Sequence, residues 1–433
     1  MSTLLLATTV HTMDGVSPPA EALVVDDDGR IAGVGRRAEM AALAGGDADV
    51  VDLGDAVLLP GLIDTHPHVL HFGARERAVL DLTDCVDHAE IVARIAARAE
   101  TTPPGEWIVT TPVGEPHYFV RRSYLDLAER RLPDRRVLDR ATTEHPVHIE
   151  AWAPRLPNVA AFNTAGLRRC RLTDTLPDRV CDVTFERYDD GSLSGVVRGA
   201  VNNYYCFDPF WVQVRGHLPG PASWELHDAT VAEMAVYNAR GVTAGFDGHN
   251  MSPAHVQAYR DLRSSGRMTM RMLCAVEGEG FAYPPWQPLT LDQYRANLEL
   301  GGGLVDLGDD VLRVSGVTWG QAGPCWPGGI RMYDPYRGPF GEATRGMTFL
   351  SDDKLEAFVA FCLDSGVQAN FVTSGYRDHD DVLRELGRHA AADVRRAAER
   401  ANWLVQHAIL ITEAQARAYA ELGFKLTTCM GFS

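Results

Sequence analysis

The sequence has no Cys-x-x-Cys pair. Its eight cysteines, Cys85, Cys170, Cys181, Cys206, Cys274, Cys325, Cys362 and Cys429, are scattered through 433 residues. That spacing excludes a disulfide scaffold, which serves short chains without enough core, and points to a reducing cytoplasm. No apolar run is long enough to cross a bilayer. The opening Met-Ser-Thr-Leu-Leu-Leu-Ala lacks the basic residues and the longer apolar stretch of a secretory signal. Positive charge is scarce, with 41 Lys+Arg against 58 Asp+Glu and a net charge of −17. Such a chain is repelled by phosphate backbones and anionic bilayers, so neither nucleic acid nor a membrane is an expected partner. Repeats of solenoid period and low-complexity tracts are absent too. With 45% hydrophobic and 23% charged residues, what remains is an ordinary globular chain.

What is present divides near residue 58. Ala22–Val25 and Arg30–Val34 are short apolar runs around Asp26-Asp27-Asp28-Gly29, the signal of a hairpin. Val50–Leu53 and Ala56–Leu59 add two more β runs, and Pro60-Gly61 then punctuates the chain. Beyond it, strands alternate with helices. Strands are expected at Leu62–His68, Gly241–Asp247, Met268–Glu277, Val311–Thr318, Gly366–Thr373, Trp403–His407 and Phe424–Cys429. Helical stretches are expected at Ser223–Arg240, Lys354–Asp364, Asp380–Ala401 and Glu413–Leu422. This alternation argues for a parallel sheet with crossover helices, and the number of units favours a barrel.

A closed barrel of this kind needs eight strand–helix units, and seven are found. Residues about 104–222, rich in prolines and turns, read as an insertion after the first unit. Trp107–Val113 and His145–Trp152 within it are the alternative source of a strand. The expected fold is therefore α/β. Residues 59–433 form a (β/α)8 TIM-like barrel, incomplete at the C-terminal end of this chain. Residues 1–58 form the N-terminal part of a small flanking β-sandwich module.

The sharpest chemical feature is Pro60-Gly61-Leu62-Ile63-Asp64-Thr65-His66-Pro67-His68. On a strand, side chains at i and i+2 share a face, so His66 and His68 are expected to point the same way. Two adjacent neutral imidazoles can chelate a borderline metal such as zinc. A bare His-x-His also arises by chance, on a partly exposed strand, with no ligand at all.

The context resembles the opening signature of the amidohydrolase superfamily, an apolar strand running into Pro-Gly-(apolar)-Ile-Asp-x-His-x-His. Asp28–Gly35 and Leu53–Gly61 are similar to that family's flanking module and lead-in. Gly105–Ile108, Asn163–Leu167, Asp190–Gly195 and Gly241–Ala244 are similar to landmarks of its YtcJ-like and N-substituted formamide deformylase branch. The resemblance implies a barrel hydrolase with one or two divalent metals. The ligands would be the His-x-His pair, often a carboxylated lysine, two strand-end histidines and a last-strand aspartate. Position by position, His66, His68 and His407 match metal ligands. Arg313 falls where the lysine would, and an arginine stays protonated and cannot form a carbamate. Val372 falls where the other histidine would. The aspartate would lie beyond Ser433. A mononuclear site is therefore expected, with zinc ahead of iron or manganese, and His407, His249 and Arg313 as its catalytic set.

Three readings follow. The first is a metal-dependent hydrolase of a non-peptide C–N bond in a small molecule, an amide, N-acyl or N-formyl group. The second is a metal-free barrel that binds or scaffolds, favoured by Arg313 and Val372. The third is a remodelled site built on Cys325, or on Asp247 and His249. Glu277 and Glu279 are expected as solvated carboxylates. Aromatic residues such as Tyr204, Phe210, Trp211, Trp319, Trp326 and Tyr333 suggest either a lid over an apolar or aromatic substrate or the core of the insertion. A homodimer is left open.

Overall fold

A computed structural model describes residues 2–114, 122–151, 156–202, 208–220, 223–279, 288–305, 307–320 and 328–428. It divides into two compact units. One runs to Ile63 and includes Gly241–Thr243, and the other holds the remainder.

The smaller unit is a sheet of β1 (Thr3–Val10), β2 (Ala20–Val25), β3 (Ile31–Gly35), β4 (Asp49–Asp52) and β5 (Val57–Leu58). Its order is β3-β2-β1-β4, with β5 also on β1. The β2–β3 hairpin forms where its turn residues predict it. Asp26 Oδ1 accepts the N–H groups of Asp28 and Arg30, and Gly29 takes a φ of 76°. β1 was not among the expected strands, because its burial follows no strict alternation. The helix Arg37–Ala44 lays Met40 and Ala44 on Leu4, Ala22 and Val24.

β6 (Leu62–Asp64) is shorter than the strand expected there and stops before His66. The region read as an insertion carries a sheet of its own. It contains β7 (Ile108–Thr110), β8 (Val147–Ile149), β9 (Asn158–Phe162), β10 (Arg179–Val180), β11 (Val183–Arg187) and β12 (Leu193–Gly199). The order is β10-β11-β12-β9-β8-β7, with β7–β8 parallel and the other neighbours antiparallel. The β runs near 107–113 and 145–152 thus build this sheet and are not the missing barrel strand.

The main sheet contains β13 (Val242–Asp247), β14 (Arg271–Glu277) and β15 (Leu312–Trp319). A two-stranded ribbon follows, β16 (Tyr336–Arg337) with β17 (Ala343–Thr344), and then β18 (Gln368–Thr373), β19 (Leu404–His407) and β20 (Lys425–Leu426). Its order is β20-β19-β18-β15-β14-β13-β6, and each neighbouring pair from β13 to β20 is parallel. No eighth strand joins it among the described residues.

Crossover helices begin at side-chain caps, Ser252 before Pro253–Ser264, Thr290 before Leu291–Gly302 and Thr412 before Glu413–Glu421. The single helix expected over Asp380–Ala401 is two, Tyr376–Leu386 and Ala391–Ala401. Each buries its own apolar face, Val382 and Leu386 on one and Val394, Ala397 and Ala398 on the other. The turn from Gly387 lets both faces reach the sheet.

The inner strands β14, β15, β18 and β19 are buried over most of their length on both sides, which explains their continuous apolar runs, whereas the edge strands β6 and β20 are exposed. Val317, Trp319, Phe371 and Val405 pack toward the helices against Phe358, Trp403 and Tyr419. Phe246, Ala275 and Leu404 pack together in a separate cluster.

Candidate metal centre

Four histidines converge at the strand ends, His407 as the last residue of β19 and His66, His68 and His249 just past β6 and β13. His66 Nε2 lies 2.9 Å from His68 Nε2, 3.1 Å from His249 Nε2 and 3.3 Å from His407 Nε2. Donor atoms of His66, His249 and His407 all lie within 4.8 Å of one another. His68 joins through His66 and turns its Nδ1 to His71 Nδ1, 3.3 Å away.

The convergence does not arise from strand pleating. β6 ends at Asp64, whose Oδ1 accepts the main-chain N–H of His66 at 2.8 Å and turns the chain. His68 then adopts a left-handed φ of 51°. Asn250, His407 and Ala408 also have positive φ, at 58°, 70° and 40°. Non-glycine residues in this region are uncommon, and four of them around one cluster mark a backbone bent to aim side chains.

The bends are held by buried polar partners. Asp247 Oδ2 accepts the Tyr259 hydroxyl at 2.6 Å. Tyr259 in turn accepts the Leu70 N–H at 3.3 Å. Gln406 Nε2 sits 3.0 Å from His66 Nδ1. Glu277 Oε2 accepts the Asn250 N–H at 2.5 Å.

Burial governs the electrostatics. It pushes His66 down to about 4, and pushes His68, His249 and His407 well below the ordinary imidazole range, with neighbouring histidines adding to the effect. At neutral pH all four are therefore uncharged, the form with a lone pair to donate. Tetrahedral zinc with Zn–N bonds near 2.0–2.1 Å needs ligand nitrogens about 3.3 Å apart. The spacing and chemistry of this donor set fit a divalent ion of that kind.

Two carboxylates depart from expectation. Glu277 and Glu279 are buried, not solvated. Burial pushes Glu277 up to about 8, against the pull of the Asn250 N–H and with help from Glu279. Glu279 pairs with Lys354, also buried.

Of the expected site residues, His66, His68, His249 and His407 come together. Arg313 does not. It is exposed near the N-terminal end of β15, paired with Leu273 and at the opposite end of the strand from the histidine cluster. Its place in the expected catalytic set was a matter of alignment alone. Val372 lies buried on β18 on the same face as Asn370 and brings no donor. Cys325, Trp326 and Tyr204 lie outside the described residues. Phe210 and Trp211 belong to the core of the inserted sheet and Trp319 to that of the main sheet, so these three are not lid residues. Tyr333 is exposed and stacks on Tyr376.

Sequence reading missed His71, Gln406, Tyr259 and His255, whose ring lies 5.2 Å from that of His71. His71 stands three residues past His68, a spacing that signals a shared helix face. The others offered no local signal.

A curled parallel α/β sheet with a buried histidine cluster at its strand ends is the arrangement of a barrel-type α/β protein with donors that could hold a divalent metal. Residues 49–433 match the amidohydrolase family, and the chain belongs to it. YtcJ of Bacillus subtilis (strain 168) is 22% identical over 390 residues, 88% of this chain and 65% of that protein. The N-substituted formamide deformylase of Arthrobacter pascens is 28% identical over 151 residues, 34% of this chain and 25% of that enzyme. The chain thus spans less than two thirds of either relative. Among solved structures, an uncharacterized metal-dependent hydrolase from Pyrococcus furiosus superimposes with a TM-score of 0.66 at 17% identity, over 99% of this chain and 77% of that one. One from Pyrococcus horikoshii OT3 gives 0.65 at 16% identity, over 99% and 74%. These two share the fold.

Proposed function

We propose that the protein is a metal-dependent hydrolase of a non-peptide C–N bond, an amide, N-acyl or N-formyl group in a small molecule. The convergence of His66, His249 and His407 carries this reading. A divalent ion bound there, zinc ahead of iron or manganese, would lower the pKa of water and polarise the substrate carbonyl. His66, His249 and His407 would hold it, with His68 as a fourth donor or as the link to His71. The chain keeps these imidazoles neutral by burial and bends its backbone toward them at Asp64 and His68. The name of the formamide deformylase supports the bond class. Residues 1–58 are read as part of a composite sandwich and 59–433 as a barrel with an insertion at about 104–222. The cytoplasm is the proposed location, consistent with free Cys85, Cys170, Cys181, Cys274 and Cys362. No described helix is long and apolar enough to cross a membrane.

The test is elemental analysis of purified protein beside a His66→Ala/His68→Ala variant and a His249→Ala variant. About one divalent ion per chain, lost in both variants, is expected for three-to-four-ligand zinc-type sites. Protein without stoichiometric metal would sink the hydrolase reading. It would favour the metal-free binding barrel, which Val372 and the exposed Arg313 support.

A further inference from the structure

Gln406 is buried between two hydrogen-bonding neighbours whose polarity leaves it no choice of orientation. Asn370 Nδ2 donates to the Gly248 carbonyl at 2.5 Å, and a main-chain carbonyl can only accept. That fixes the Asn370 amide, whose Nδ2 also donates to Gln406 Oε1 at 2.9 Å. On its other side, Gln406 Nε2 donates to the Thr65 carbonyl at 3.1 Å. Both ends of the Gln406 amide are therefore set by groups of fixed polarity. Its remaining N–H points at His66 Nδ1, 3.0 Å away.

A neutral imidazole facing a donor at Nδ1 must accept there and carry its proton on Nε2. Yet His66 Nε2 is the atom around which the other three histidines gather. A metal-bound histidine ordinarily does the reverse, donating Nδ1–H to an acceptor in the surrounding shell. Turning the Gln406 amide over would supply that acceptor. It would also set oxygen against the Thr65 carbonyl and nitrogen against Asn370 Nδ2, losing two buried hydrogen bonds.

We propose that Gln406 is a positioning residue that holds His66 as its Nε2–H tautomer and so keeps the cluster's affinity for a divalent cation low. Cation binding then requires the Gln406 amide to leave its network. The proposal rests on the metal-site reading above. An acceptor at position 406 would favour the Nδ1–H tautomer and tighten binding, and changes in such shell partners alter metal affinity by roughly 10–100-fold.

Two measurements test it on the full chain. The first is long-range 1H–15N correlation on chelator-treated protein with 15N-labelled histidine, the His66 signals being those absent in His66→Ala. An Nε2–H pattern is expected. An Nδ1–H pattern overturns the proposal whatever the metal content, and this result does not depend on any variant at position 406 folding. The second is titration with Co2+ against a chromophoric chelator, for wild type and Gln406→Glu. Binding at least tenfold tighter in Gln406→Glu is expected. Equal or weaker binding in the variant, with an unchanged thermal midpoint, overturns the proposal and leaves the hydrolase reading standing. No Co2+ bound by either protein overturns both.

Discussion

At the scale of single residues, the cluster depends on hydrogen bonds that bend the backbone at His68. Tyr259 serves two of them, donating to Asp247 and accepting from Leu70, in a fully buried position. Tyr259→Phe keeps the ring and removes both. It leaves the Leu70 N–H without this acceptor and Asp247 with one donor fewer, and such buried losses cost about 1–3 kcal/mol. Denaturant unfolding should show that decrease with an unchanged m-value, and no change in midpoint would refute the role. The histidines themselves were legible in the sequence, because a motif placed His66, His68 and His407 and a strand end placed His249. Their supports were not. Tyr259 acts on Leu70 across 189 positions and Gln406 on His66 across 340. No local pattern encodes a partner that distant. The reason given for His66 and His68 pointing together was also wrong in kind, since a left-handed turn does what strand pleating was expected to do.

At the scale of elements, the segment after the histidine pair is a π-helix, Gly73–Arg77, packed on the helix Ser223–Asn238. A π-turn is uncommon and needs anchoring. Gly73 approaches so closely that a Cβ would stand 2.9 Å from the Ala229 carbonyl oxygen. Arg77 bridges Glu233 at 3.0 Å and Glu76 at 3.8 Å. Burial, then the charge of Glu233, pushes Glu76 up to about 7. An acid whose folded pKa is raised is protonated in the folded state at a pH where the unfolded chain has already released the proton. The folded state then binds more protons, so stability falls as pH rises from about 4.5 to 7. Glu76→Gln should flatten that slope and gain on the order of 1–3 kcal/mol at pH 8 relative to wild type. Unfolding curves at pH 5 and pH 8 check this, and an equal effect at both would refute it. Most elements of the main sheet were legible, since strands buried on both faces read as apolar runs and their connecting helices carry caps. The division of Asp380–Ala401 into two helices was not, because both halves keep helical periodicity and no proline marks the break.

At the scale of the whole molecule, the inserted sheet and the main sheet have separate apolar cores. Phe162, Phe185, Trp211 and Val214 anchor one, and Phe358, Phe371, Trp403 and Tyr419 the other, with no residue in common. Sequence reading saw the insertion as a region of prolines and turns and not as a sheet, since its strands are short and its two halves join through the non-consecutive pair β12–β9. Separate cores allow parts of a protein to open independently, with opening free energies set by local burial. Trp211 is fully buried against Phe162, with ring centroids 6.1 Å apart. Trp211→Ala removes a large side chain from that core, a change that costs about 3–5 kcal/mol. If the cores are independent, the loss should fall on the inserted sheet alone. Hydrogen exchange read by mass spectrometry should speed up across β8, β9, β11 and β12 and leave β14, β15 and β18 at wild-type rates. Metal content should stay at its wild-type level, because none of the four clustered histidines lies on the inserted sheet. Equal acceleration in both sheets would show one cooperative unit, in which the insertion helps hold the histidine cluster together.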